Sequence, residues 1–129
     1  MRLLLDTHAA IWVLVSPHLL NDRIRGLIAA AEDGVYVSAV SVWEIAIKHA
    51  LKKRDAPPFS GTEAVGYFRQ GGFKLLGVTP EHAAAVETLP LLHGDPFDRL
   101  LIAQALTEPL RLVTHDTKLA AYSDTIITF

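Results

Sequence analysis

The sequence has no cysteine, which excludes disulfides, thiolate zinc sites and a cysteine nucleophile. The absence also suits a reducing cytoplasm, the expected location. No run of residues is long and apolar enough to span a bilayer, so no membrane association is expected. The opening Met1-Arg2-Leu3-Leu4-Leu5 looks superficially like a leader peptide. Asp6 and His8 interrupt it, however, and no small-residue cleavage site follows cleanly, so it reads as a buried strand. An excess of positive charge is missing too: the formal net charge is −2, which does not advertise a nucleic-acid binder. Net charge says little, though, where acids gather around a cation. The one basic block, Lys48 to Arg54, reads as the solvated C-terminal end of a helix.

What is present in quantity is apolar material: half of the 129 residues are hydrophobic, enough for one domain with its own core. Leu3 to Leu5 form a short continuous apolar strand. Thr7 to Val15 read as a helix apolar almost all round, so buried on all sides or covered by a partner, and Pro17 marks its end. A second helix is expected from about Asp22 to Glu32, capped by Asn21 and stopped at Gly34. Val35 to Ser38 is the next strand. Ser41 to about Lys53 is the next helix, closed by Pro57-Pro58. Ser60 caps a helix running to Gly71-Gly72, and Lys74 to Val78 read as a strand. Thr79-Pro80-Glu81 opens another helix. Asp95-Pro96 opens a helix through Leu106, followed by a strand at Leu110 to Thr114, a short helix at Thr117 to Tyr122 and a strand at Ile126 to Thr128. Such alternation predicts an α/β fold with a parallel sheet covered on both faces. Right-handed crossovers then set the strand C-terminal ends along one edge, where ligands bind in such folds.

Four acids map to that edge. Asp6 directly follows the first strand, and Asp116 closely follows a later one. Glu44 and Asp98 lie in the first turns of helices fed from the same edge. Carboxylates are hard oxygen ligands suited to Mg²⁺ or Mn²⁺, and such an ion relieves the repulsion among gathered acids. It can also activate water and offset charge on a phosphodiester under attack. Each acid has an innocent reading as well. Ser41-Val42-Trp43-Glu44 has the form of a capping box, Asp95-Pro96-Phe97-Asp98 imitates it, and Asp6 and Asp116 precede helix starts. The two readings are compatible, since a helix N-terminus keeps a carboxylate ionised.

The motifs around these acids resemble those of PIN-domain nucleases. Leu3-Leu4-Leu5-Asp6-Thr7 looks like the first motif, and Ser38 to Ile45, with Glu44, like the second. Asp95-Pro96-Phe97-Asp98-Arg99-Leu100-Leu101-Ile102-Ala103-Gln104-Ala105 resembles the third, and Leu112-Val113-Thr114-His115-Asp116 the fourth. At this length the resemblance is to VapC-type toxins of toxin–antitoxin pairs. It implies a PIN-like three-layer α/β/α fold with a central, mainly parallel sheet, as a single domain over residues 1–129. It further implies a Mg²⁺- or Mn²⁺-dependent endoribonuclease acting on RNA, a VapB-type antitoxin that covers the site, and a homodimer. Carried over position by position, the metal ligands are Asp6, Glu44, Asp98 and Asp116. Thr7 and Thr114 match the supporting hydroxyl positions, with Asp95 as cap or outer shell. Gln104 stands where many relatives place a small hydroxyl residue.

The remaining polar residues read more plainly. The six histidines show no paired ligand spacing. His8 and His115 are sequence neighbours of Asp6 and Asp116, but packing is the simpler role, and His93-Gly94 reads as a turn. Lys48 suits an ion pair with Glu44 one turn earlier, and Arg99 a solvated or ion-paired role, with phosphate or antitoxin contact as the alternative. Phe59, Tyr67 and Phe68 read as core or as groove lining. Two other functions compete: a phosphatase with Asp6 as nucleophile, and a non-enzymatic receiver-like metal-binding module. The first lacks a second acid two residues on and a matching lysine motif; the second lacks a clear phosphoacceptor on a central strand and a later lysine.

Overall fold

The structure is a computed structural model, and it describes residues 1–31 and 33–129. Five strands form one sheet: β1 (Leu3–Leu5), β2 (Val35–Ser38), β3 (Lys74–Leu76), β4 (Arg111–Thr114) and β5 (Ile127–Thr128). Their order is β3-β2-β1-β4-β5, and every pairing is parallel, with Leu5 opposite Val37 on one side and Val113 on the other. The helices are α1 (Thr7–Val15), α2 (Asp22–Ala30), α3 (Ala39–Ala50), α4 (Gly61–Gln70), α5 (Pro80–Ala85) and α6 (Pro96–Thr107).

The two-residue period of β1 sorts its leucines between two cores. Leu3 and Leu5 join Ala9, Ala10, Ile24, Ile45 and Phe68 on one face, while Leu4 joins Leu101, Ile102, Leu112 and Leu119 on the other. The sheet is thus covered on both faces, as the alternation of elements predicts. α1 is half-covered along Ile11 to Leu14, with Trp12 packed edge-on against His115 and Phe129. His8 lies against the same indole, so both histidines pack as expected. Phe59 and Phe68 are core residues, whereas Tyr67 is exposed. Among the described residues, no helix is long and apolar enough to cross a membrane.

Several boundaries differ from the sequence reading for identifiable reasons. α3 begins two residues early because Ser38, not Ser41, is its cap, with its hydroxyl accepting from Val40 N at 3.0 Å. It ends at Ala50, well before the prolines, where Lys52 turns the chain at φ 51°. The expected end of α2 at Glu32 lies outside the described residues; the helix spans Asp22–Ala30. β3 stops at Leu76, short of Val78, and Thr117–Tyr122 is a 3₁₀ rather than an α-helix. α4 is capped by Ser60 as expected, with Glu63 completing a capping box, and it rides close on α3 at Gly61, where a Cβ would come within 2.8 Å of the Ala46 Cβ.

Candidate metal centre

Strand order reverses between β1 and β4: the chain winds outward from β1 through β2 to β3, then returns to lay β4 on the other side. At such a switch point the loops from adjacent strands part and leave a crevice at the C-terminal edge. Asp6 leaves β1 there and Asp116 follows β4 there.

Asp6 is 4% exposed and bonded through both oxygens. Oδ1 accepts from Ala9 N at 2.8 Å as the cap of α1. Oδ2 accepts from Thr114 Oγ1 at 2.6 Å and His115 N at 3.3 Å. Thr114 Oγ1 also accepts from Asp116 N at 3.0 Å, so one buried hydroxyl bridges the two acids. Asp116 caps the following turn through Lys118 N. The capping readings of Asp6 and Asp116 therefore hold, alongside their places at the crevice.

Glu44 does not cap. Ser41 lies inside α3, where its hydroxyl accepts from Thr7 Oγ1 at 3.0 Å, and the expected capping box is absent because the helix starts earlier. The buried Glu44 carboxylate instead lies 2.5 Å from Lys48 Nζ, the expected i,i+4 ion pair. Asp95 does cap α6, accepting from Asp98 N at 3.1 Å. That division of labour leaves the Asp98 side chain free, and its Oδ2 sits 3.0 Å from His93 Nε2.

One cleft of about 310 Å³ is lined by Asp6, Glu44, Asp98 and Asp116, with Thr7, Lys48 and Asp95 among its other walls. Burial pushes the Asp6 carboxyl above its ordinary range against the pull of its hydrogen bonds. Asp98 is pushed up to about 6, first by burial, then by the charge of Asp95 and, less, Asp6, with His93 opposing. A set of carboxylates gathered at one crevice fits a hard divalent cation.

The grouping is uneven. Among the described residues, His93, Asp98 and Asp116 offer three donor atoms that all lie within 4.8 Å of one another. Asp6 and Glu44 line the same cleft but stand outside that set. His93 reads from sequence as a turn residue; its loop is held by a clamp six residues further on. The clamp is Arg99, which is half-buried and turned toward the loop before α6. It donates to the carbonyls of Val86, Leu89, Pro90 and His93 and to the Tyr122 hydroxyl, at 3.0 to 3.4 Å. Gln104 is likewise away from the cleft. It is fully buried, accepting from Ser38 Oγ and donating to Gly77 O, where it joins β2 to the segment after β3.

Comparison with known proteins follows the same lines. The PIN domain profile matches residues 3–124. Ribonuclease VapC22 of Mycobacterium tuberculosis (strain ATCC 25618 / H37Rv) is 31% identical over 122 residues, covering 92% of this chain and 90% of that protein. A DNA-bound VapBC from Salmonella typhimurium shares the fold with a TM-score of 0.68 at 15% identity, covering 100% of this chain and 97% of that one. FitAcB from Neisseria gonorrhoeae does so with a TM-score of 0.67 at 22% identity, covering 98% and 96%. At those identities the two structures speak to the fold alone.

Proposed function

This chain belongs to the PIN-domain family, and from that premise we propose that it is an endoribonuclease, the toxin of a toxin–antitoxin pair, dependent on Mg²⁺ or Mn²⁺. One observation carries the reading: Asp6, Glu44, Asp98 and Asp116 line a single cleft at the sheet's C-terminal edge. These four acids are the proposed metal ligands, with Thr7, Thr114 and Asp95 as their supports.

When bound, a divalent cation supplies a Lewis acid that activates water and offsets charge on the phosphodiester. The chain's own residues supply position. Thr114 Oγ1 fixes the Asp6 carboxylate while anchoring the Asp116 backbone, so the two acids hold a common register. Thr7 ties α1 to α3 through Ser41, which sets the depth of Glu44 in the cleft. Asp95 takes the capping duty and leaves the Asp98 carboxylate free to bind. Lys48 brings a cationic group to the same cleft, where it balances Glu44 and faces an approaching phosphate.

An Asp-nucleophile phosphatase fits less well, because the second residue after Asp6 is His8 rather than a second acid and no matching lysine motif is present. The expected partner is a VapB-type antitoxin, with the protein a homodimer acting in the cytoplasm. The test is cleavage of RNA by the purified protein. Activity should require Mg²⁺ or Mn²⁺, vanish with a chelator, and be lost in Asp116→Asn and Glu44→Gln. Cleavage that survives both chelation and Asp6→Asn would rule the mechanism out, and phosphate release from a small ester without RNA cleavage would favour the phosphatase.

A further inference from the structure

The loop before α6 brings a nitrogen donor to an otherwise oxygen-only centre. His93 Nε2 lies 3.0 Å from Asp98 Oδ2 and 3.8 Å from Asp116 Oδ2, so the ring enters the space between two carboxylates on different elements. That placement is built into the fold. Arg99 follows Asp98 directly, and its guanidinium holds the loop at four carbonyls, one of them that of His93. The turn that carries the acid therefore also fixes the imidazole against it. The fork geometry of arginine is needed for this, since a lysine offers a single point charge.

We propose that His93 is itself a ligand of the cation held at this centre, set between Asp98 and Asp116, and that it tilts the site toward ions that accept nitrogen. The inference rests on the metal-centre reading above. Donors sharing one ion sit about 3 to 4.2 Å apart when each lies roughly 2.1 Å from it, and both His93 separations fall in that range. Nδ1 makes no hydrogen bond to a described residue, so the tautomer with its proton on Nδ1 leaves the Nε2 lone pair free for the cation. Oxygen-only sites suit Mg²⁺, whereas imidazole favours later first-row ions, so the centre should prefer Mn²⁺ to Mg²⁺. The competing account is that Nε2–H merely donates to Asp98 and never meets the ion.

Pulsed electron paramagnetic resonance of the full chain loaded with Mn²⁺ separates the two. A directly bound imidazole gives a ¹⁴N coupling in the wild type that persists in His8→Gln and His115→Gln and disappears in His93→Gln. Competition between Mn²⁺ and Mg²⁺ should show the preference for Mn²⁺ falling roughly tenfold in His93→Gln. Arg99→Lys, with its fold checked by circular dichroism, should weaken the ¹⁴N signal while His93 itself is intact. Bound Mn²⁺ without ¹⁴N coupling in the wild type, or coupling retained in His93→Gln, overturns the assignment and leaves the acid site standing. Mn²⁺ binding that is absent, or that is indifferent to Asp6→Asn and Asp116→Asn, overturns the metal centre and this assignment with it.

Discussion

Replacing Thr114 with valine removes one hydroxyl and almost nothing else, and that hydroxyl serves both ends of the proposed site. It donates to Asp6 Oδ2 at 2.6 Å and accepts from Asp116 N at 3.0 Å, in a residue with no solvent exposure. A hydrogen bond to a charged group is worth about 1.5–3 kcal/mol, and without it Asp6 Oδ2 keeps only the longer bond from His115 N at 3.3 Å. The loss at Asp116 N is smaller, because that residue is partly exposed and water can take over. For a chain of this length a kcal/mol moves the melting temperature by roughly 3–5 °C, so Thr114→Val should melt roughly 5–15 °C lower. Removing an outer support of a metal ligand costs on the order of 10–100-fold in metal affinity or activity. The assays are thermal unfolding at pH 7.5 and Mn²⁺ titration by calorimetry. Thr114→Ser keeps the hydroxyl and should stay close to wild type in both. If valine and serine behave alike in melting and in Mn²⁺ affinity, the bridging role is wrong.

The raised carboxyls give the metal-free protein an unusual pH profile. Asp98 sits at about 6 against an ordinary 3.8, so the folded state binds its proton more tightly than the unfolded chain does. This contribution to stability is fully present below the unfolded value and is lost as pH rises through about 6, with Asp6 acting in the same direction. Metal-free protein should therefore melt lower at pH 7.5 than these groups would allow at pH 5, and saturating Mn²⁺ should raise the pH 7.5 melt most; equal metal shifts at both pH values would contradict this. Two glycines in α4 should respond oppositely to alanine. Gly61→Ala meets the Ala46 Cβ at 2.8 Å and should cost about 1–3 kcal/mol by denaturant unfolding. Gly66→Ala meets nothing within 4 Å and should gain about 0.5–1 kcal/mol, so a loss there would refute the packing argument.

The element order was legible because strands and helices alternate and each carries its own punctuation. Asn21, Ser60, Thr79 and Asp95 all cap where the sequence places them. The start of α3 was misread because Ser38 and Ser41 are both plausible caps, and only tertiary packing on Thr7 pulls Ser41 into the helix. Asp6, Asp98 and Asp116 stand where their positions after strands and at a helix start put them, whereas Glu44 lies in the second turn of α3 and not the first, because that helix begins at Ala39. What the sequence could not supply was which neighbour completes each of them. Arg99 and Gln104 are long polar side chains whose partners lie on other elements, and their inward turn depends on contacts unrelated to local pattern. His93 was hidden for the same reason: a loop residue's reach is decided by what fastens the loop.

The Thr114–Asp6 bond joins residues 108 apart in sequence, and this has a consequence for when the protein can act. β1 is the central strand, yet of its two neighbours β4 is made after β2, β3 and all six helices. Until β4 is laid down, Asp6 has no partner for Oδ2, the crevice has one wall, and Asp116 does not exist. A chain interrupted between Glu44 and β4 would carry Asp6 and Glu44 without the β4 wall of their cleft. Synthesis order thus leaves the cleft incomplete until β4 and Asp116 have emerged.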